Sequence, residues 1–576
     1  MEVLDLRNLD VDFKNCFPKL SFALTDFQKK VISNVSDKGN TLCILPTGGG
    51  KSVIYWMSTL ELTGTAIVIS PLTALISEQA SKIEEHGYEV LAIHGGVSVT
   101  KQMKLLSDFA NKKSNPKFIF LSPEKIATDG FLEYCLKCRK EDIKLVVIDE
   151  VHCVSQWGMN FRPFYLRIPD FMNQLFGKNR WSKILALTAT LNPKEIADIC
   201  RYFRIEKENI IMNNILMRSG IQLHVSKFLD EEEKTEKFWN IIHNHQDEKI
   251  LVYVYRKYKK HSVEALCAEA EQRGYKAVAF HGDMNSDVRM KIIEEYKDNK
   301  YNIVFATNAF GMGIDIPDIR VVIHFMIPES VEQYYQEVGR AARDGHGANA
   351  YLLYSDKNIQ VKKQHFIDKS FPSEDKIRKV FTEKIGTKEG YQTLSYFDDE
   401  EVQQCIPYYI EEGLIDIVCK GFADLKNLTE IADQRLQKLY DSTKNKGYIR
   451  TVNQSIKDEP ITPKELSELV YACVVSGKVQ LLKPLERWLI IKVNSSILSD
   501  DNIQHILNMI DEKKQYKHDL LDYFVYLLET NTNTQELHQE IAAYLGTEKH
   551  SLNKIYKTED GTMVRSKSEV IIANLL

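Results

Sequence analysis

The sequence lacks the features that mark membrane, secreted and disordered proteins. None of its apolar runs approaches the roughly 18 residues that a membrane span needs. Its first residues contain neither the basic region nor the apolar core of a secretory signal. Charged residues make up 27% and hydrophobic residues 44% of the 576 positions, which is typical of a folded protein. We therefore expect an intracellular protein, cytoplasmic or nucleoid-associated, with no membrane partner.

Excess positive charge is also missing, because 75 Lys and Arg against 80 Asp and Glu leave a net charge of -5. No global basic field attracts nucleic acid, so any polyanion has to be held by local sites. The ten cysteines are scattered, and only Cys135 and Cys138 have the spacing of zinc ligands. No second pair lies nearby, which favours a helix that carries two thiols over a metal site.

Residues 20–355 alternate short β-branched runs with stretches of helix length. Apolar residues occupy both faces of each short run, which is typical of parallel sheets covered by helices on both sides. The pattern predicts an α/β protein with two tandem domains, at 1–210 and 211–355. The expected strands are 41–45, 66–70, 118–121, 145–149, 184–188, 250–254, 277–280, 303–307, 321–324 and 350–354.

The remainder of the chain has a different pattern. Residues 356–390 are rich in Lys and Asp and predict a connector, and apolar spacing of three to four residues predicts a mostly helical accessory region over 391–550. Its expected helices are 400–412, 428–442, 463–476, 501–512 and 516–529. Lys444, Lys446 and Arg450 surround Tyr448, a cluster that could contact phosphate, although a solvated face is the commoner explanation.

A glycine-rich loop follows the first predicted strand and precedes a predicted helix. Such a loop presents backbone N–H groups to polyphosphate, and its glycines keep side chains out of the way. Lys51 can reach the β- and γ-phosphates, and the Ser52 hydroxyl can join the coordination of Mg²⁺. Thr47 stands where the full pattern has its first glycine. The loop predicts a phosphate site made of Thr47, Gly48, Gly49, Gly50, Lys51 and Ser52.

Two carboxylates, Asp149 and Glu150, end a buried predicted strand about 100 residues after this loop. Ligands of open parallel sheets bind at the carboxyl ends of the strands, beside such a loop. Asp149 is then placed to hold Mg²⁺, and Glu150 to orient or deprotonate an attacking water. An isolated Asp-Glu pair is more often a solvated turn, but its order after the phosphate loop favours a catalytic pair.

Seven short motifs, in order, resemble the two motor domains of superfamily 2 helicases. They are LPTGGGKS at 45–52, ISPLTAL at 69–75, SPE at 122–124, DEVH at 149–152, LTAT at 187–190, VFATNAFGMGID at 304–315 and QEVGRAARDG at 336–345. The aromatic-rich loop CVSQWGMNFRP at 153–163 resembles the RecQ-like branch. The resemblance implies two RecA-like domains and an ATP-dependent DNA helicase that uses ATP and Mg²⁺ and moves 3′ to 5′ on single-stranded, tailed or forked DNA.

The resemblance also implies roles for individual residues. Gln28 is similar to the glutamine that reads adenine, and Asp315 and Gln336 lie in motifs that contact the nucleotide. Arg340 and Arg343, three apart on a predicted helix, would face the γ-phosphate, whereas a surface ion pair is the plain alternative. The residues expected to contact DNA, or to couple DNA binding to hydrolysis, are Trp157, Phe161, Arg162, Thr188, Thr190, Thr307 and Gly311. For Trp157 and Phe161 the alternative is packing in the core.

The sequence departs from the RecQ-like pattern at three places. Thr25 occupies the position of an adenine-stacking arginine, and Met159 and Asn160 replace a His-Asp pair in the aromatic loop. The family's four-cysteine zinc platform has no counterpart, because the cysteines beyond residue 355 are too far apart. Two other functions stay open: an ATP-gated DNA-binding scaffold that recruits or carries a nuclease, and, more weakly, an RNA helicase.

The last residues predict a helix from Ser568 that is apolar on nearly every side and that nothing later in the chain covers. Residues 564–572 are similar to the opening of PD-(D/E)XK nuclease domains, in which Glu569 would be the first metal-binding carboxylate. We expect residues 551–576 to begin a nuclease domain that continues beyond Leu576, with a plain terminal helix as the alternative. One carboxylate cannot complete a Mg²⁺ site, so this chain is not expected to cut DNA.

Overall fold

The protein is described here from a computed structural model. It describes residues 7–46, 48–71, 73–155, 163–213, 218, 220–255, 261–311, 314–386, 388–395, 399–426, 428–443, 448–452, 455–456, 459–531, 533–546, 556–557 and 563–564. The expected fold class is confirmed, since two parallel-sheet α/β domains precede a largely helical C-terminal region.

The first domain is built on a seven-stranded parallel sheet. Its strands are β1 (Thr41–Ile44), β2 (Thr65–Ile69), β3 (Val90–Ile93), β4 (Phe118–Leu121), β5 (Ile143–Ile148), β6 (Lys183–Thr188) and β7 (Ile210–Met212), in the order β3-β4-β2-β5-β6-β1-β7. Its helices are α1 (Arg7–Cys16), α2 (Asp26–Asp37), α3 (Lys51–Glu61), α4 (Thr73–Glu84), α5 (Val99–Ala110), α6 (Pro123–Thr128), α7 (Gly130–Cys138), α8 (Ile168–Phe176) and α9 (Pro193–Phe203). Neighbours on β1 point to opposite faces, and Leu42 and Cys43 pack into separate cores.

The second domain repeats this architecture with a six-stranded parallel sheet. Its strands are β8 (Ile221–Lys227), β9 (Ile250–Tyr253), β10 (Ala277–Phe280), β11 (Ile303–Ala306), β12 (Val321–His324) and β13 (Ala348–Tyr354), in the order β10-β11-β9-β12-β13-β8. Its helices are α10 (Glu231–Asn244), α11 (Val263–Gln272), α12 (Ser286–Lys297) and α13 (Val331–Val338). All ten predicted strands are present, with ends that shift by two residues at most.

Three strands of these sheets, β3, β7 and β8, were not predicted. All three lie at a sheet edge, and each is either very short or partly exposed. An edge strand has one open side, so it lacks the continuous apolar run by which a central parallel strand is identified.

Residues 356–390, predicted as a connector, contain two helices. These are α14 (Asp356–Val361), which continues as a π-helical turn over Lys362–Ile367, and α15 (Glu374–Val380), which continues as another over Phe381–Ile385. Helix α15 and its extension pack in a core that is separate from those of the two α/β domains and that we call the third core. This stretch therefore belongs to the folded body that follows it.

The C-terminal region combines helices with short antiparallel strands. Its strands are β14 (Gly390–Leu394), β15 (Ile415–Gly421), β16 (Asp424–Leu425), β17 (Leu428–Ile431), β18 (Ile449–Arg450), β19 (Ser455–Ile456), β20 (Glu459–Pro460), β21 (Val479–Leu481), β22 (Trp488–Val493), β23 (Tyr556–Lys557) and β24 (Met563–Val564). Its helices are α16 (Glu400–Glu411), α17 (Gln434–Ser442), α18 (Pro463–Val475), α19 (Asp500–Thr530) and α20 (Thr534–Gly546). Strands β14, β22 and β15 form a sheet in that order, and it covers the third core.

Three helix predictions in this region were wrong in detail. The predicted helix 428–442 starts as strand β17, which pairs with β21, and helix α17 begins only after Asp433. The Asp433 carboxylate accepts hydrogen bonds from the backbone N–H groups of Arg435 and Leu436, which fixes the start of the helix there. The predicted helices 501–512 and 516–529 are one continuous helix, α19.

The segment 422–487, which joins the adjacent strands β15 and β22, docks on the first domain. Phe422, Leu436 and Val470 share a core with residues of α7. Around this core, Lys420 pairs with Glu133, and the guanidinium of Arg487 lies 3.1 Å from the Asp129 carboxylate. The segment and the first domain therefore form one packed unit.

Helix α19 contacts all three bodies along its 31 residues. Ile503, Ile506 and Ile510 pack in the third core, whereas Phe524 and Leu528 pack in the core of the second domain. Between these stretches, the Tyr516 hydroxyl donates a hydrogen bond of 3.2 Å to Asn192 of the first domain. Long as α19 is, neither it nor any other helix in the described ranges has the apolar length to cross a membrane.

The docking of the segment 422–487 depends on a glycine. A Cβ added at Gly130 would lie 2.1 Å from the Lys420 carbonyl oxygen and 2.6 Å from the Tyr471 hydroxyl oxygen. We expect Gly130→Ala to lower the free energy of unfolding by about 1–3 kcal/mol, the usual cost of overpacking, in chemical denaturation. Gly282→Ala is the control, because its Cβ would meet no atom within 4 Å. Equal stability of the two variants would contradict the prediction.

Candidate active site

The phosphate loop has the backbone shape that its glycines permit. Gly48 and Gly50 adopt left-handed conformations, with φ of 79° and 81°. A Cβ on Gly49 would lie 2.6 Å from the Leu45 side chain, so this position needs a glycine for space. Gly50 precedes the first residue of α3, so the backbone N–H groups at this helix start are open to an anion.

Gln28 is held against the loop from the start of α2. Its side-chain amide donates a hydrogen bond of 3.1 Å to the Gly49 carbonyl, and its amide oxygen accepts one of 2.9 Å from the Thr25 N–H. The Thr25 hydroxyl in turn accepts from the Gln28 N–H, which completes a capping box. Thr25, a departure from the family pattern, therefore orients the glutamine that reaches the loop.

Asp149 and Glu150 follow β5 directly, next to the phosphate loop. The ammonium of Lys51 lies 3.4 Å from a Glu150 carboxylate oxygen. The Asp149 carboxylate accepts hydrogen bonds from the Ser70 hydroxyl at 3.4 Å and from the Glu150 N–H at 3.0 Å. Glu150 adopts a left-handed conformation with φ of 49°, which costs about 1–2 kcal/mol for a residue with a Cβ. This turn directs both carboxylates towards the loop.

The pKa values of the two carboxylates are shifted in opposite directions. Burial and the neighbouring Glu150 raise the pKa of Asp149 to about 7, although Lys51 opposes the shift. Burial would also raise the pKa of Glu150, but Lys51 and His152 pull it below its ordinary value. Of the two groups, Glu150 is thus the one with the lower pKa. At Lys51, burial alone would lower the pKa, but the charges of Glu150 and Asp149 outweigh that effect and raise the pKa above its ordinary value.

The second domain faces these groups with two arginines. Arg343 donates hydrogen bonds to the Asp315 carboxylate at 2.6 Å and to the Ile314 carbonyl at 3.1 Å. Arg340 donates to the Gly311 carbonyl at 2.6 Å. Their predicted placement on a helix was wrong, because α13 ends at Val338 and Ala342 has a φ of 56°. The two arginines instead share a tight turn, which still presents them to the first domain.

A cleft of about 280 Å³ separates the two sets of groups. Lys51, Ser52, Asp149 and Glu150 line it from the first domain, and Asp315 and Arg343 line it from the second. No group of three or more His, Cys, Asp or Glu residues suited to a metal occurs in the described part of the chain. The Ser52 hydroxyl and the Asp149 carboxylate fit a Mg²⁺ ion that takes its other ligands from phosphate and water.

A chain of polar contacts runs from the cleft to the domain interface. His152 lies 3.4 Å from Glu150, and its ring also contacts the Thr188 hydroxyl at 3.0 Å. Thr188 donates a hydrogen bond to the Thr190 carbonyl at 3.1 Å. The Thr190 hydroxyl accepts one of 3.0 Å from the Gln336 amide of the second domain. Motif residues that are far apart in the sequence thus form one connected path.

The other predicted site residues lie elsewhere in the structure or outside the described residues. Thr307 follows β11, where its hydroxyl accepts from the Ala309 N–H at 3.3 Å, and a Cβ on Gly311 would lie 2.6 Å from the Asn308 carbonyl oxygen. Tyr448 lies between Lys426 and Arg450, which both face Asp424, so its DNA role stays a prediction. The predicted residues outside the described ranges are Thr47, Trp157, Phe161, Arg162, Lys444, Lys446 and Glu569.

One residue of the cleft region, Arg218, was missed by the sequence analysis. It lies between β7 and β8, in the segment that joins the two domains. Its guanidinium donates hydrogen bonds of 2.8 Å to the carbonyls of Gly339 and Ala341, on either side of Arg340. No motif surrounds it, and its only signal in the sequence is a basic side chain in a short interdomain segment.

Two family models match parts of the chain. The model described as DEAD/DEAH box helicase matches residues 25–199, and the model described as Helicase conserved C-terminal domain matches residues 233–345. These ranges contain the phosphate loop, both carboxylates and both cleft arginines.

Individual relatives agree with these matches. The ATP-dependent DNA helicase RecQ of Bacillus subtilis strain 168 is 33% identical over 65% of this chain and 59% of its own length. The probable ATP-dependent DNA helicase RecS of the same organism is 32% identical over 60% of this chain and 67% of its own length. The chain therefore spans less than two thirds of that RecQ protein.

Among solved structures, a crystal structure of the DUF1998 helicase MrfA bound to DNA has a similar fold. It is 16% identical, with a TM-score of 0.51, and the match covers 70% of this chain and 61% of that one. At this identity the likeness concerns the fold alone.

The hydrogen bond between Gln336 and Thr190 generates a prediction. Because one buried hydrogen bond contributes about 1 kcal/mol, Gln336→Ala should lower the kcat of ATP hydrolysis about fivefold, and Thr190→Val should match it. Affinity for a fluorescent ADP should change less than kcat does. Gln515→Ala, which alters an exposed pair with Asp519, serves as the control. A fall in kcat in only one of the two variants would show that their shared bond is not the cause.

Proposed function

This chain belongs to the RecQ-like helicases of superfamily 2, and from this premise we propose that it is an ATP-dependent DNA helicase. The observation that carries the proposal is the cleft, in which the phosphate loop and two carboxylates of one domain face Arg343 of the other, with Arg340 close enough to Glu150 to lower its pKa. Neither domain holds the complete set of groups. Hydrolysis therefore requires both domains, and their relative movement is available to drive motion along a nucleic acid.

The phosphate loop and the cleft arginines bind and orient the nucleotide. Gln28 contacts adenine, the loop N–H groups hold the phosphates, and Lys51 exchanges its partner Glu150 for the β- and γ-phosphates. The Ser52 hydroxyl and Asp149 hold Mg²⁺, which neutralises phosphate charge when it is bound. Arg340 and Arg343 stabilise the negative charge that spreads over the γ-phosphoryl group in the transition state.

Glu150 orients the attacking water and accepts its proton as the water oxygen bonds to the γ-phosphorus, while the bond from that phosphorus to the β–γ bridging oxygen breaks and ADP leaves with the electron pair. Before a nucleotide binds, Lys51 and His152 lower the pKa of Glu150, and loss of Lys51 to the phosphates would raise it and so strengthen the base. His152 then links the state of Glu150 to Thr188, Thr190 and Gln336 at the domain interface. We propose that this path reports the nucleotide state to the surface that grips single-stranded DNA, where Thr307, Gly311 and the loop with Trp157, Phe161 and Arg162 act.

The proposal predicts the effect of two cleft variants on DNA-stimulated ATP hydrolysis. Lys51→Ala and Glu150→Gln should each lower the rate by two orders of magnitude or more, because such groups contribute roughly 3 kcal/mol of transition-state stabilisation. Lys300→Ala, which removes an exposed ammonium paired with Glu295, is the matched control. Hydrolysis that survives both cleft substitutions would exclude this site as the ATPase.

The second prediction concerns the substrate and the direction of movement. In a strand-displacement assay with ATP and Mg²⁺, a DNA duplex with a 3′ tail should be unwound, and a 5′-tailed DNA duplex and a tailed RNA duplex should not. ATP hydrolysis without displacement of any duplex would favour the DNA-binding scaffold. Efficient displacement of RNA alone would favour the RNA helicase.

A further inference from the structure

Arg218 occupies the short segment between Met212, the last residue of β7, and Ile221, the first residue of β8. Its half-buried guanidinium reaches elements of both domains at once. One guanidinium nitrogen donates hydrogen bonds of 2.8 Å to the carbonyls of Gly339 and of Ala341. Another lies 3.0 Å from the position that a Cβ on Gly48 would occupy. Arg218 therefore lies between the phosphate loop and the turn that carries the cleft arginines.

The two carbonyls that accept from Arg218 lie at the end of a helix. Helix α13 ends at Val338, and the carbonyls of Gly339 and Ala341 lie just beyond its last turn. A cation at this end satisfies these carbonyls and is favoured by the helix dipole. Because Gly339 and Ala341 flank Arg340, the two hydrogen bonds fix the backbone from which that arginine projects.

The charge of Arg218 adds to the positive charge near the cleft, which an anion bound there would neutralise. Burial and the nearby Arg343 both lower its pKa, although Asp315 and Tyr335 act in the other direction. Arg343 lines the cleft and interacts electrostatically with both Arg218 and Arg340, so three cations lie close to the cleft that Lys51 also lines. A polyphosphate between these cations would relieve their mutual repulsion and draw the turn towards the phosphate loop.

The position of Gly48 next to this guanidinium requires a residue without a side chain. Its left-handed φ of 79° favours glycine, and a side chain there would press on Arg218. The guanidinium therefore lies next to the loop, and a shift of Gly48 towards it would press on Arg218. From Arg218 such a shift would pass to the carbonyls on either side of Arg340.

We infer that Arg218 is a positioning residue that couples the phosphate loop to the turn carrying Arg340, so that Arg340 meets the γ-phosphate only when the loop is occupied. The inference rests on the proposed ATPase and adds to it a role for the interdomain segment. That segment supplies a side chain that aligns the active site, besides joining the domains.

A double-mutant cycle in kcat tests this inference, with DNA-stimulated ATP hydrolysis of the full chain as the readout. Arg218→Ala should lower kcat about 10- to 100-fold, because misplacing a catalytic group by about 1 Å costs up to that factor. Arg340→Ala should lower it at least as much. The double variant should be no slower than Arg340→Ala alone, because Arg218 acts through Arg340.

Further measurements separate positioning from a general loss of structure. Arg218→Lys keeps donors near both carbonyls and should recover part of the lost kcat. The KM for ATP of Arg218→Ala should change less than its kcat, and its thermal midpoint should stay close to that of Arg273→Ala, an exposed control paired with Glu269.

The inference would be overturned by a double variant whose loss equals the product of the two single losses, or by a wild-type kcat in Arg218→Ala. If Arg218→Ala does not fold, the same cycle with Arg218→Met, which keeps much of the side-chain length and removes the donors, decides, with the same two overturning outcomes. A wild-type protein without ATP hydrolysis would instead remove the proposed function.

Discussion

The ion pair between Lys51 and Glu150 is the interaction on which the cleft depends. Both side chains are largely buried, so each charge alone would carry a large desolvation penalty. The attraction between the two charges offsets that penalty. In the proposed mechanism a phosphate takes the lysine, so the Glu150 carboxylate loses that partner, keeps its contact with His152 and becomes available to water. Substrate binding and activation of the base are therefore one exchange of partners rather than two separate events.

This exchange matters beyond the first domain because the path from Glu150 continues through His152, Thr188 and Thr190 to Gln336. Thr188 ends β6 and Gln336 lies on α13, so the path joins a strand end of the first domain to a helix of the second. A shift of a few tenths of an ångström at the carboxylates therefore has few ways to dissipate before it reaches the second domain. The cleft and the domain interface share one polar network, and neither can rearrange alone.

Much of the cleft could be predicted from the sequence because phosphate chemistry restricts both residue type and spacing. Gly48 and Gly50 need left-handed backbones, and Lys51 and Asp149 need fixed places at strand ends. The central strands were predictable for a similar reason, since burial on both faces demands an apolar run. The edge strands β3, β7 and β8 do not need such an apolar run, and they were not predicted.

The remaining features depend on contacts between distant parts of the chain. Strands β15 and β22 are neighbours in space, but the segment 422–487 separates them in sequence, so no local hairpin pattern indicates their sheet. The end of α13 at Val338 depends on the left-handed Ala342 that follows, which a helical pattern does not reveal. Arg218 was missed because its partners are backbone carbonyls, and these carry no residue identity.

Helix α19 changes how the two domains can move. The covalent segment around Arg218 joins them at one place, and α19 joins them at another, because Phe524 packs in the second domain while Tyr516 touches Asn192 of the first. A body held at one point can swing in any direction, whereas a body held at two separated points can turn only about the line between them. The opening and closing of the cleft that the proposed hydrolysis cycle requires are therefore restrained by α19 as well as by the covalent connection.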